Sequence, residues 1–368
     1  SRGHSGRRAG VAAALDIGAT PIRISNVPRR PPSRPATVRD VARLAGISQP
    51  TASLVLSGHP TARVADATRQ RVLDAARSLG YRPNVLARAL VRGRSFAIGV
   101  LVPDLRNPFV VDVVSGAERV AADAGYAVLL CEQGRTPIQQ HLEMLRGRQV
   151  DGLLIDAVGA SELHPDALDG LNVVLVDEPA ADLPGVVTDA ARCGALVAEH
   201  LLALGHRRFG FLGPADPVWA ARMRERGYAA ALRAAGMELH STWWRRPPAT
   251  IVGGRTAMRE LLAQRERPTA VFCGNDLLAL GAHKACADAG VRLPDALSLV
   301  GCDDIEMARL VTPELSTVTV PARALGARAA RLLLDELATP GSARRPRQPL
   351  AVSLAARGTS GPAPRRAA

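Results

Sequence analysis

The sequence predicts two parts: a small all-α helix-turn-helix head and an α/β core built as two doubly wound, parallel-sheet lobes. Three observations predict it. Short helical signatures with a capping motif crowd residues 36–82, strand-like apolar runs alternate with helical periodicity from Phe96 to about residue 360, and over half of the net basic charge falls between Pro35 and Arg94. A chain of 368 residues exceeds what one core organises, and 47% hydrophobic residues is ample for burial in several.

The head is read from its caps and breaks. Thr37 followed by Asp40 resembles a capping box with Asp in place of Glu; Val38, Val41, Ala42 and Ala45 then mark one helical face, and Gly46 ends the helix. Ser48 caps a second helix with Pro50 in its first turn, Ala52, Val55 and Leu56 facing inward, and Gly58 closing it. A third helix is predicted from about Thr68 to Leu79, with Val72, Ala75, Ala76 and Leu79 inward. Ala65 stands where a capping side chain is wanted, and Asp66 is expected to take that role. Residues 83–95 form a linker: Pro83 breaks the chain, and Asn84 caps a short helix ending near Arg92 and Gly93. Residues 1–35, rich in Arg, Pro, Gly and Ser, read as a disordered basic arm.

From residue 96 the pattern alternates. Strands are expected at 96–102, 126–132, 151–157, 173–178, 185–189, 208–213, 270–274 and 297–303. Helices are expected at 109–124, 137–147, 190–204, 219–235, 254–264 and 276–289. Near-continuous apolar strands of this kind belong to parallel sheets covered on both faces. The run from Leu315 to Ala338 reads as a strand and an amphipathic helix, followed by a weak strand at 349–356 and a disordered tail at 361–368. The expected division gives one lobe from about 96–189 and 319–345, the other from about 190–318 and 346–360. Ligands of such sheets sit at the carboxyl ends of the strands, where Asp104, Asn107, Asp156, Asp189, Asn275 and Asp303 fall.

The formal charge is +13, and between Pro35 and Arg94 ten Arg face three Asp and no Glu, a balance of +7. Charge alone fits a nucleic-acid partner, since Arg holds phosphate and base edges bidentately, and equally fits a general Arg bias. Five Cys, at 131, 193, 273, 286 and 302, lie in apolar runs without a Cys-x-x-Cys pair, as buried thiols of a reducing compartment would. No apolar run reaches the roughly 18 residues of a membrane span, and Val11 to Leu15 is too short for a secretory core. There is no G-x-G-x-x-G after the first strand, no phosphate-binding G-x-x-x-x-G-K-[ST], no G-x-S-x-G elbow and no metal-spaced His/Cys/Asp set, so neither an enzyme nor a cofactor or metal is expected.

The segment ATVRDVARLAGISQPTASLVLSG, then ATRQRVLDAARSLGYRPNVLARAL, closely resembles the DNA-binding end of the lactose/galactose repressor family. The resemblance continues through IGVLVPDLRNPF, DGLLI, HLLALGHRRFGFLG, RMRERGYAAAL, FCGNDLLALGA, VGCDD and TPELSTV, roughly residues 36 to 360. It implies a helix-turn-helix head, a hinge helix, and a core similar to periplasmic sugar-binding proteins. By resemblance Gln49, Pro50 and Leu54 occupy base-reading positions, with Ser53 also outward; Leu54 stands where the family usually carries Arg, so its common operator is not implied. Thr37, Ser48, Thr51, Ser53, Tyr81 and Asn84 are candidate phosphate and backbone contacts. Leu90 matches the apolar wedge that family hinge helices insert into the minor groove, with Arg88 supplying nearby charge. A helix this short is well below the roughly 12 residues that stand alone in water, so it is expected to form only on DNA beside a partner hinge.

For the effector, the resemblance implies Arg224, Asn275 and Asp303 as polar ligands, with Asn107 at a strand end and Phe109 offering an apolar face. The family's aromatic position is Ala249 here, and Trp243 or Trp244 is expected to replace it. A fork donor, an amide and a carboxylate suit a polyol, most simply a sugar, with a purine or nucleoside as the alternative. The resemblance further implies a cytoplasmic, nucleoid-associated homodimer on a pseudo-palindromic operator in double-stranded DNA. No Leu heptad follows the core, so a lactose-repressor-like tetramer is not expected. The competing readings are a nucleotide-using enzyme and an extracytoplasmic binding protein.

Overall fold

The computed structural model describes residues 36–56, 64–81, 93–134, 136–156, 168–180, 183–215, 218–342 and 348–364. Its contacts divide the chain into two units, residues 1–84 and 85–368.

In the first unit, α1 (Val38–Ala45), α2 (Gln49–Leu56) and α3 (Asp66–Ser78) close around Val41, Ala42, Ala45, Ala52, Val55, Val72, Ala75 and Ala76. Five of these eight are Ala, so the helices approach closely around a very small core. The capping box forms: the Thr37 amide donates to Asp40 Oδ2 at 2.9 Å, and the Asp40 amide donates to Thr37 Oγ1 at 3.4 Å. Gly46 ends α1 with φ 67°, a left-handed conformation that costs glycine little. One expectation needs correction. Ala65 itself is the N-cap of α3 and makes no side-chain bond; Asp66 is already the first helical residue. There its charge complements the positive helix end instead of capping it. Gly58 and the hinge residues Asn84, Arg88 and Leu90 lie outside the described residues.

In the second unit, β1 (Ala97–Val102), β2 (Ala127–Glu132), β3 (Gly152–Asp156), β4 (Val173–Val176) and β5 (Gly185–Val186) make a parallel sheet in the order β2-β1-β3-β4-β5. The helices between them are α4 (Pro108–Asp123) and α5 (Ile138–Gly147). The second sheet contains β6 (Phe209–Leu212), β7 (Trp244–Arg245), β8 (Ala270–Cys273), β9 (Ser298–Asp303), β10 (Ser316–Thr319) and β11 (Ser353–Ala355), ordered β11-β10-β9-β8-β6-β7. Its pairs are parallel except β10 with β11, which is antiparallel. Both sheets thus wind in the same 2-1-3-4-5 sense, the second with one added edge strand. Each has a point where the winding reverses, beside β1 in one and β6 in the other, and opens a crevice at the carboxyl ends of its strands.

Around the second sheet pack α6 (Ala190–Ala203), α7 (Trp219–Ala234), α8 (Ile251–Leu262) and α9 (Asp276–Asp288); α10 (Ala322–Ala338) crosses back onto α4 and the first sheet. One core cluster runs through both sheets, from Ile98, Val100 and Val174 to Phe211, Tyr228, Phe272 and Val300. A second, with Val271, Cys273, Leu278 and Leu299, fills the α8/α9 face.

A further correction concerns the tail. Residues 361–364 are ordered: the Gly361 amide donates to Ser298 Oγ at 3.0 Å, and the Ala363 amide to the Leu204 carbonyl at 2.8 Å. Buried His206 anchors this strip, with Nε2 3.1 Å from the Gly361 carbonyl and Nδ1 3.0 Å from Thr269 Oγ1. The strip is held through its own backbone groups, which bond to Ser298, His206 and Leu204 far away in sequence, so no local side-chain periodicity announced it.

Candidate functional site

The head presents an exposed face of mixed polarity on its second helix. On α2, Ala52 and Val55 point into the core while Gln49, Pro50, Ser53 and Leu54 are exposed, Leu54 to 38%. Ser48 precedes the helix; its Oγ accepts weakly from the Thr51 amide at 3.4 Å and sits 2.8 Å from Thr51 Oγ1. Thr37 at the start of α1 is half-buried and engaged in its cap. Tyr81 packs beside the head core, and burial raises the pKa of its phenol.

In the core, helix capping absorbs several of the polar residues found at strand ends. Asn107 Oδ1 accepts the Phe109 amide at 3.1 Å, Asp189 Oδ1 the Arg192 amide at 3.1 Å, and Asn275 Oδ1 the Leu278 amide at 2.9 Å. Asp104 pairs with Arg106 at 2.8 Å. The amide nitrogens of Asn107 and Asn275 are left for other use. Asp303 is differently placed. It lines a cleft of about 350 Å³ with Phe109, Asp112, Asp304, Thr319 and Arg323, where the ends of α4 and α10 meet the end of β9.

Arg224, on α7, lies 2.9 Å from Asp303 Oδ1, and its Nη1 donates to the Gly274 carbonyl at 2.8 Å. Both side chains are buried, and the ion contact is not aligned as a hydrogen bond: Asp303 Oδ1 and Arg224 Nε have no hydrogen-bond partner. Burial works against the Arg224 charge, yet Asp303 and neighbouring groups hold its pKa above the ordinary arginine value. Burial pushes Asp303 up to about 7, against the pull of Arg224. The backbone here is strained, with φ 123° at Asp303 and 57° at Asp304, conformations that non-glycine residues keep only where surroundings impose them. Asp304 is held by Arg357 at 2.5 Å and Thr319 Oγ1 at 2.8 Å. Beneath, Asp276 accepts from Thr317 Oγ1 at 2.6 Å and the Ile305 amide at 3.0 Å, and burial pushes its pKa up to about 6.

Arg224 reaches this place because α6 and α7 touch backbone to backbone. A Cβ on Gly194 would lie 1.9 Å from the Arg224 carbonyl oxygen, and one on Gly227 1.9 Å from that of Ala191. Only glycine permits the contact.

Of the residues expected around the effector, Phe109, Arg224 and Asp303 come together, Phe109 and Asp303 on the cleft wall and Arg224 behind them. Asn107 and Asn275 sit at the same strand ends as caps. Trp243 does not join them: it is 4% exposed in the α8/α9 core, with Nε1 donating to the Glu266 carbonyl at 3.2 Å. Trp243 closes a short 3-10 turn, and Trp244, the first residue of β7, lies tilted against Phe211 and Tyr228, at 5.8 and 6.0 Å between centroids, with Nε1 donating to Glu225 of α7 at 3.1 Å. Asp156, expected only as a strand-end polar residue, and Asp177 and Glu178, not expected at the site, are all buried where β3 and β4 end.

Comparison with known proteins settles the family. Residues 37–84 match the model of bacterial regulatory proteins of the lacI family, and residues 198–360 match a periplasmic binding protein-like domain. The chain is 36% identical over 315 residues to the HTH-type transcriptional repressor PurR of Mannheimia succiniciproducens, covering 82% of this chain and 92% of that protein. The chain belongs to the lacI family. It is therefore a DNA-binding transcriptional repressor with an effector-binding domain, and not an enzyme. It is also 35% identical to the ribose operon repressor of Haemophilus influenzae, over 83% of this chain and 93% of that one. Among solved structures, the Lac repressor dimer bound to operator and an anti-inducer superposes with a TM-score of 0.80 at 27% identity, over 89% of this chain and 100% of that one. Within the described residues no helix is long and apolar enough to cross a membrane, and no cluster of three or more His, Cys, Asp or Glu is arranged to hold a metal.

Proposed function

We propose that this lacI-family repressor acts in the cytoplasm as a homodimer, on the nucleoid, at a pseudo-palindromic operator, and that a small polar effector in the Asp303 cleft sets its operator affinity. The observation that carries the reading is the buried Arg224–Asp303 pair. Two opposite charges on a strained backbone beside an open cleft are costly to keep unless something binds there.

On DNA, Gln49, Pro50 and Leu54 read base edges from α2; Gln49 pairs with adenine, and Leu54 contacts a thymine methyl where relatives use Arg. Ser53 sits on the same face, and Thr37, Ser48, Thr51, Tyr81 and Asn84 fix register on the phosphates. Leu90, with Arg88 beside it, wedges into the central minor groove. Effector binding shifts the relation of the two lobes, and the hinges couple that shift to DNA affinity.

The similarity to a repressor named PurR favours a purine- or nucleoside-type effector over a plain sugar, which the similarity to a ribose operon repressor keeps as the second reading. A flat ring rests on Phe109 in the cleft, with Arg224, Asn107, Asn275 and Asp303 as polar partners. The test of the DNA half is a gel-shift titration against an operator selected in vitro from random duplexes. Leu90→Gly is expected to weaken binding at least tenfold while leaving effector binding, measured by calorimetry, intact; unchanged operator affinity removes the wedge.

A further inference from the structure

Among the described residues, the buried ionic side chains other than histidine are Asp156, Asp177, Glu178, Asp276 and Asp303, against Arg224 alone. All five acids fall at or just beyond the carboxyl ends of strands β3, β4, β8 and β9. Most have partners. Asp276 is held by Thr317 and Ile305, Asp303 faces Arg224, and Asp177 Oδ1 accepts both the amide and the hydroxyl of Thr188, at 2.9 and 2.8 Å.

Asp156 is the exception. It is 2% exposed and its Oδ2 is buried without a hydrogen-bond partner. The β3/β4 register sets it opposite Val176, so Asp177 and Glu178 follow immediately beside it. Burial first, then Asp177 and Glu178, raise its pKa well above the usual carboxylate value. Asp177 in turn is close enough to influence both Arg224 and Asp303, which joins this acidic corner of one lobe to the effector pair of the other. A carboxyl left buried and unpaired is destabilising, and proteins keep one where a ligand completes it. Among the described residues no group of three or more His, Cys, Asp or Glu is arranged to hold a metal ion.

We propose that Asp156, backed by Asp177 and Glu178, is a subsite for a protonated amino group on the effector. An ammonium brings three donors to an acceptor-rich corner and offsets its excess negative charge; a phosphate or carboxylate in the same place meets like charge. The effector is then an aminated ring compound rather than a phosphorylated one. This rests on the reading of the cleft as the effector site.

The test is calorimetry on the full-length protein with matched pairs: 5′-amino-5′-deoxyadenosine against adenosine, and D-glucosamine against D-glucose. The amine of at least one pair is expected to bind at least tenfold tighter than its neutral parent. Asp156→Asn is expected to remove that preference within the pair and not to lower the unfolding midpoint of the free protein. Equal affinity within the pairs, a preference that survives Asp156→Asn, binding of a neutral base such as hypoxanthine with neither amine bound, or a large loss of stability in Asp156→Asn each overturns the subsite. Failure of every purine and sugar probe to bind overturns the underlying assignment of the cleft as well.

Discussion

Replacing Arg224 by Met keeps a long unbranched side chain in the same space and withdraws the cation from Asp303. Part of the cost does not depend on pH: the Gly274 carbonyl loses its donor, worth about 1–3 kcal/mol for a buried acceptor. The rest does. With a pKa of about 7 in the folded protein, Asp303 is mostly protonated below that pH, and removing Arg224 there leaves only a neutral carboxyl. Above it the parent protein ionises Asp303 beside Arg224, whereas the variant, having lost that pull, retains the proton. The unfolded chain is ionised in both, so unfolding the variant releases one more proton and its relative stability falls as pH rises. The slope is about 1.4 kcal/mol per pH unit above 7, or roughly 2 kcal/mol between about pH 7 and about pH 8.5. Urea unfolding of the full-length protein across that range measures it, and Asp303→Asn in the same background is expected to abolish the slope. A destabilisation that is the same at low and high pH, or that shrinks as pH rises, refutes the coupling of the two side chains.

Two further outcomes follow from packing and capping. Gly194→Ala must move apart two helices whose backbones would otherwise clash at 1.9 Å; it is expected to cost more than the roughly 1–3 kcal/mol of ordinary overpacking in thermal unfolding and to blunt the effector response through Arg224. Trp243→Ala is expected to cost about 3–5 kcal/mol of stability, as removal of a core aromatic does, while a mild change at the neighbouring ring, Trp244→Phe, is expected to alter effector affinity more than stability; the reverse pattern in calorimetry and unfolding would reassign the two rings.

What could be read from the sequence, and what could not, follows the range of the interactions. Local chemistry was legible: the Thr37–Asp40 cap, the Gly46 stop, and the alternating strands and helices are set by residues a few positions apart. So was the Arg224–Asp303 pairing in part, because resemblance named both positions, though not their contact. The start of α3 was not legible, because Ala65 caps it with backbone alone and no side chain marks the position. Trp243 ends a three-residue 3-10 turn and Trp244 begins a two-residue strand, both too short for any period to say which ring enters the core. Asp156 was visible as a strand-end residue, but its lack of a partner depends on the pairing of β3 with β4 and on what the fold fails to bring near it. The ordered strip at 361–364 depends on His206, some 155 positions away in sequence.

The central claim is that one cleft, centred on Arg224 and Asp303, controls the grip of the head on DNA. It is tested most directly by fluorescence anisotropy of the full-length protein on its selected operator, with and without a saturating purine or amino-nucleoside found by calorimetry. A change in operator affinity of at least fivefold in the parent protein, about 1 kcal/mol of coupling, with none in Arg224→Ala, is the predicted result. An operator affinity indifferent to every bound ligand, or a response undiminished in Arg224→Ala, contradicts it.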